Sequence, residues 1–181
     1  MHHEEHSVTV SAPIDVVWRV LLDVESYAGI FPPTQRVDLL EEGDNYQIAR
    51  LYVLVNGELN SWTSRRDIDA DRHVIAYRQL ETAPIVGSMG GEWRVSAGPD
   101  GLTELILTHD FEVRAAVDGK VAGRYEPEEA DRLLCAAVER NSVADLGAVK
   151  QAAEQAAELA SEQATERASG TDATPSLAPA S

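Results

Sequence analysis

The sequence is poor in the residues that build several common kinds of protein. It has one cysteine, Cys135, in 181 residues. That excludes a disulfide framework and argues against a Cys-based zinc site. Basic residues are scarce: 15 Lys and Arg stand against 31 Asp and Glu, for a net charge of -16. Such a surface is unsuited to nucleic acid or to an anionic membrane. No apolar run reaches the 18 residues a membrane helix needs, and Met1-His2-His3-Glu4-Glu5-His6 is no signal peptide. A soluble, cytoplasmic protein is expected. There is no phosphate-cradling Gly-rich loop, no HExxH and no Gly-x-Ser-x-Gly; Gly87-Ser88-Met89-Gly90-Gly91 lacks the helix a dinucleotide fingerprint requires.

What is present is a 44% hydrophobic chain, long enough for one domain with a sizeable core. Residues 6–11 alternate as a strand. A helix follows Pro13 as far as Asp23, with Ser11 as its cap and Val16, Val17, Val20 and Leu21 as its apolar stripe. A short second helix stops at Phe31-Pro32-Pro33. The period then changes to two, giving strands over 35–41, 46–55, 58–69, 73–82, 86–97 and 102–113. Asn56-Gly57 is a hairpin turn, and the short connections imply an antiparallel meander. Glycines 87, 90 and 91 within one strand imply a bulge or sharp curvature. A long helix runs from about 126 to 160 or beyond, and residues 169–181 form a disordered tail behind a single domain over 1–168. The order predicts an α+β helix-grip fold: a curved seven-stranded antiparallel sheet around a long C-terminal helix, with a central cavity.

Polar residues on faces that should point inward mark a site. Trp62, Ser64, Arg66 and Ile68 share one face of their strand, so Arg66 should be buried and needs a polar partner. Leu105, Leu107, His109 and Phe111 form one face of the last strand, which puts His109 inward. On the long helix Leu134, Val138, Asn141, Asp145, Ala148, Val149 and Ala152 fall in one arc, placing Asn141 and Asp145 opposite the sheet. Tyr77 and Gln79, Trp93 and Phe31 complete the set of inward candidates. Each has a plainer reading: Arg66 in a structural ion pair, His109 as a satisfied core residue, Asp145 as a misjudged helix phase, the aromatics as core. Trp18 is assigned to packing, His73 to the outer face, and His2, His3 and His6 to solvent. No metal site and no cofactor are read.

The segments Val8-Thr9-Val10-Ser11-Ala12-Pro13, Trp62-Thr63-Ser64-Arg65-Arg66, Tyr77-Arg78-Gln79-Leu80-Glu81-Thr82-Ala83-Pro84, Leu107-Thr108-His109-Asp110-Phe111 and Glu139-Arg140-Asn141-Ser142-Val143-Ala144-Asp145-Leu146 carry a resemblance. Over about residues 6–150 the chain resembles the single-domain first-ring aromatase/cyclases of type II polyketide synthases, within the START/Bet v 1-like superfamily. The resemblance implies that Arg66 anchors a substrate oxygen and that His109 and Asp145 act with it. It implies a poly-β-ketone substrate held on an acyl carrier protein by a minimal synthase, and the inward candidates Phe31, Trp62, Ser64, Tyr77, Gln79, Trp93 and Asn141 are then expected to contact it. Thr34 stands where the C9–C14 subgroup has a tyrosine, which favours C7–C12 closure. His109, oriented by Asp145, would then move the proton. A homodimer is left open. Two rival readings are a non-catalytic binding module on this fold, and an interaction protein using the Ala/Glu/Gln-rich helix end.

Overall fold

The computed structural model describes residues 1–55 and 57–170, with side chains as far as Arg167. Its elements are β1 (His2–Val10), α1 (Ile14–Leu22), α2 (Tyr27–Ile30), β2 (Thr34–Gly43), β3 (Tyr46–Val55), β4 (Glu58–Asp69), β5 (Val74–Glu81), β6 (Val86–Ala97), β7 (Thr103–Val113) and α3 (Pro127–Gly170). A 3-10 turn at Val24–Ser26 joins α1 to α2. All seven strands form one antiparallel sheet in the order β1-β7-β6-β5-β4-β3-β2. The first strand thus pairs with the last, which brings both ends of the domain to the same edge. The tail read over 169–181 lies, from residue 171 on, outside the described residues, as does Asn56 of the hairpin turn.

The strand and helix boundaries follow the sequence reading closely, with three corrections. β1 begins at His2, not at residue 6. Its inward side chains alternate as expected, but they are His2, Glu4 and His6, half-buried while His3 and Glu5 are exposed. Their polarity made an enclosed strand look like a solvated leader. Ser11 does not cap α1: Pro13 stands at the N-cap without a side-chain bond, and the Ser11 N–H donates to Glu154 Oε1 at 2.8 Å. The third correction is the phase of α3. Its buried residues are Ala130, Leu134, Val138, Ser142, Leu146, Val149 and Ala153, and Asn141 is exposed. A buried serine is tolerated there because its hydroxyl donates to the Val138 carbonyl one turn back, at 2.8 Å.

The core lies between the sheet and the helices. Val17, Trp18 and Leu21 of α1 pack with Val10, Ile75, Trp93, Leu105, Leu107, Leu146 and Val149. Burial of each large apolar side chain contributes roughly 1.5–3 kcal/mol. His73 is not an outward residue as read: it is half-buried, its ring edge-on to Trp18 at 5.2 Å between centroids. The main contacts of α3 are to β1, β7 and α1. On the inner faces of β4 and β5, Ser64, Arg66 and Ile75 are buried, whereas Trp62, Tyr77 and Gln79 remain half-buried. The helix thus covers the β1–β7 side of the sheet, and the α1–α2 corner meets β4 at Arg66.

The glycines of β6 shape the sheet beside Tyr77. A register shift sits between Val86 and Ser88. Gly91 has φ +154°, and a Cβ there would lie 1.9 Å from the Thr108 carbonyl oxygen and 2.8 Å from the Tyr77 hydroxyl. Only glycine lets Tyr77 cross β6 and donate to that carbonyl, which it does at 2.8 Å. Gly91→Ala is expected to destabilise the fold by about 3 kcal/mol or more, read as a fall in the urea midpoint.

Candidate active site

Alternation along β4 turns Arg66 inward as predicted, and it is only 5% exposed. The question of what meets it has a definite answer: three neutral oxygens. Nη1 donates to Gln47 Oε1 at 2.5 Å. Nη2 donates to the Tyr27 hydroxyl at 3.0 Å and to the Leu21 carbonyl. No carboxylate bonds Arg66 among the described residues, so its positive charge is oriented without being neutralised. The support extends outward. Gln47 stands opposite Arg66 across the β3–β4 ladder, and its Nε2 donates to Glu42 Oε1 at 3.1 Å and to the Leu22 carbonyl at 3.3 Å. Those bonds aim its oxygen at the guanidinium. The Tyr27 hydroxyl donates to the Leu21 carbonyl at 2.8 Å, and its ring rests edge-on against Phe31 at 4.7 Å. Phe31 is thus a buried prop for Tyr27.

His109 lies on the inner face of β7, half-buried, with the Tyr77 ring edge-on at 5.8 Å. Its Nδ1 is 3.2 Å from Ser142 Oγ. The Ser142 hydroxyl hydrogen is committed to the Val138 carbonyl. Its oxygen therefore accepts from Nδ1–H, and the lone pair of His109 is left on Nε2. Burial, reinforced by His6 and opposed by Asp110, lowers the His109 pKa to about 4. The ring is neutral at physiological pH.

Asp145 follows Ser142 by three residues on α3 and is half-buried. Burial raises its pKa to about 7. Its carboxylate also helps to raise the pKa of both Tyr27 and Tyr77, after the larger effect of their own burial. Asp145 therefore lies within electrostatic reach of the tyrosine that holds Arg66 and of the tyrosine that flanks His109. It is not the group that orients His109; Ser142 is. Ser142→Ala is expected to free the ring tautomer and lower kcat about 10-fold while shifting the acid limb of the pH profile.

The other candidates separate by depth. Ser64 is buried beside Arg66 on the same face, and Gln79 stands opposite Ser64 in the ladder. Gln79 Oε1 is buried with no hydrogen-bond partner among the described residues. Trp62 is half-buried on the inner face of β4, whereas Trp93 is core, opposite Ile75 and Leu107. Asn141 is exposed and off the buried ridge of α3. Tyr27, Gln47 and Ser142 were missed by sequence reasoning. Gln47 could have been found, since it shares the inner face of β3 with Ala49 and Leu51.

A family model described as polyketide cyclase/dehydrase and lipid transport matches residues 1–154. The chain belongs to this polyketide cyclase/dehydrase family. The granaticin polyketide synthase bifunctional cyclase/dehydratase of Streptomyces violaceoruber is 35% identical over 153 residues, 84% of this chain and 44% of that protein. The chain thus spans less than half the length of this curated relative. The crystal structure of the Zhui aromatase/cyclase from Streptomyces sp. R1128 superposes with a TM-score of 0.83 at 62% identity, covering 85% of this chain and 94% of that one. A START superfamily protein from Mycobacterium smegmatis, 18% identical, superposes with a TM-score of 0.63 over 83% of this chain and 99% of that one. It shares the fold, and the helix-grip architecture expected from the sequence is the one observed.

Proposed function

We propose that this family member is an aromatase/cyclase that closes and aromatises the first ring of a carrier-protein-bound poly-β-ketone in aromatic polyketide biosynthesis. The observation that carries the reading is an un-neutralised Arg66 and a neutral His109 on the inner face of the sheet, with a protonatable Asp145 on the helix that packs against it. The likeness to the Zhui aromatase/cyclase over nearly its whole chain supports it.

A CH2 between two carbonyls is acidic enough for a modest base. His109 Nε2 removes that proton to give the enolate, and the Arg66 guanidinium holds the oxygen of the carbonyl to be attacked, on which the alkoxide charge develops. The carbanion carbon attacks a second carbonyl of the same chain, forming the ring C–C bond. His109 passes its proton to that alkoxide. Asp145, protonated below about pH 7, protonates the resulting hydroxyl as it leaves as water. His109, neutral again, takes the remaining proton of the attacking carbon, which completes the double bond and leaves that proton to return to Asp145. A raised acid beside a lowered base is the arrangement such a sequence needs. Trp62, Tyr77 and Gln79 shape the site so that the reacting carbons meet. Thr34 is buried where it enters β2. With no tyrosine there, C7–C12 closure is favoured over C9–C14.

The test is product analysis with a reconstituted minimal synthase. Addition of the protein should convert the spontaneous shunt products into one ring-closed product, and His109→Ala should return the shunt pattern. A non-catalytic binding module predicts a bound polyketide with an unchanged product pattern in both cases. Deleting residues 151–181 addresses the interaction reading: cyclisation retained opposes it.

A further inference from the structure

Away from Arg66 and the candidate active site, the start of β1 meets the first turns of α3, and three metal-ligating side chains converge. His2 Nε2 lies 2.7 Å from Asp131 Oδ1, and His2 Nδ1 lies 3.8 Å from Cys135 Sγ. One donor atom from each of the three lies within 4.8 Å of the other two. Asp131 and Cys135 are four residues apart on α3, so one helix face presents both. His2 is held by its pairing with Phe111 in the sheet, and its ring stacks on the Phe111 ring at 5.1 Å. All three are half-buried.

Glu4 is the next inward residue of β1. Its Oε2 is buried and has no hydrogen-bond partner among the described residues. The locality therefore holds surplus negative charge and an unmet carboxylate oxygen, a combination that a cation would relieve. Neither the proton-transfer chemistry nor the anchoring of Arg66 uses any of these groups.

We propose that His2, Asp131 and Cys135 form a binding site for a zinc-class divalent cation that clamps the N-terminal strand to α3. One cysteine is too few for a Cys-rich zinc site, but a mixed set of nitrogen, oxygen and sulfur donors suits Zn2+ better than Mg2+ or Ca2+. Tetrahedral zinc with bonds of about 2.0–2.3 Å spaces its donors roughly 3.3–3.8 Å apart. One ion takes a single ring nitrogen, so His2 Nδ1 and Cys135 Sγ, 3.8 Å apart, form its starting pair. Asp131, now bonded to Nε2 of the same ring at 2.7 Å, turns its carboxylate from that nitrogen to the ion. Water takes the fourth position, and binding releases the thiol proton.

The full chain, without a polyhistidine extension and stripped with chelator, is titrated with Co2+ and with Zn2+. The expected result is a near-ultraviolet thiolate-to-cobalt band with 1:1 stoichiometry that zinc displaces. Zinc at a hundredfold excess over Kd should raise the thermal midpoint by roughly 5–10 °C. Cys135→Ser should remove the band and the midpoint shift. Asp131→Asn should weaken binding at least ~10-fold, and His3→Ala should change neither readout. If Cys135→Ser does not fold, His2→Ala must lose the band instead. No thiolate band in the unaltered protein overturns the site. So does a zinc-induced shift that survives Cys135→Ser, since the metal is then on other histidines.

Discussion

Replacing Arg66 with alanine is expected to lower the rate of first-ring closure by about 10²–10³-fold, the cost of removing one preorganised donor to a developing oxyanion. The fold should survive the change. Tyr27 still donates to the Leu21 carbonyl at 2.8 Å, and Gln47 keeps its bonds to Glu42 and Leu22. The orphaned acceptor is Gln47 Oε1, for a loss of roughly 1–3 kcal/mol. Arg66→Lys retains the charge but not the fork that meets Gln47 on one nitrogen and Tyr27 with Leu21 on the other. It should fall between the native protein and the alanine variant. The measurements are product yield by chromatography with a reconstituted synthase, and thermal unfolding by circular dichroism. Native yield from a folded Arg66→Ala protein would remove the arginine from the mechanism.

Much of this arrangement is legible in the chain. Period-two alternation decides which side of β4 and β7 is inward, so Arg66 and His109 emerge from sequence alone. The partner of Arg66 was within reach as well: a two-residue turn at 56–57 pairs Val55 with Glu58, and the same register carried back pairs Gln47 with Arg66. The Leu21 carbonyl and Tyr27 were not within reach, because they belong to the α1–α2 corner, and no local pattern states which strand a corner docks on. The phase of α3 was misread by one position for a related reason. Asn141 and Ser142 are both polar, and only contact with β7 decides that the smaller one is buried against His109. β1 shows the opposite failure: its alternation was visible, but His2, Glu4 and His6 do not look like an inner face.

Asp145→Asn should cost activity and add stability, and the two effects should have different pH dependence. The native pKa of about 7 lies above the ordinary carboxylate value because burial disfavours the charged form. The folded state therefore binds this proton more tightly than the unfolded chain. The resulting penalty is absent below about pH 4, grows as pH rises and is complete above about pH 7. Removing it should stabilise the protein by about 2 kcal/mol at pH 8, after discounting for the solvent that Asp145 still meets, and by nothing at pH 4. Over the same change the amide cannot deliver the proton that dehydration needs, so kcat should fall about 10²–10⁴-fold. His109 has the opposite sign. Its pKa of about 4 lies below the ordinary value, so its penalty is absent above about pH 6.5 and grows as pH falls. Native kcat/KM should therefore decline above about pH 7, where the acid is lost, and below about pH 4, where the base is. Urea unfolding of both proteins at pH 5 and pH 8, beside a pH–rate profile, checks the assignment. An Asp145→Asn protein no more stable than the native one at pH 8, or a native profile flat from pH 6 to 9, would show that Asp145 is not the acid.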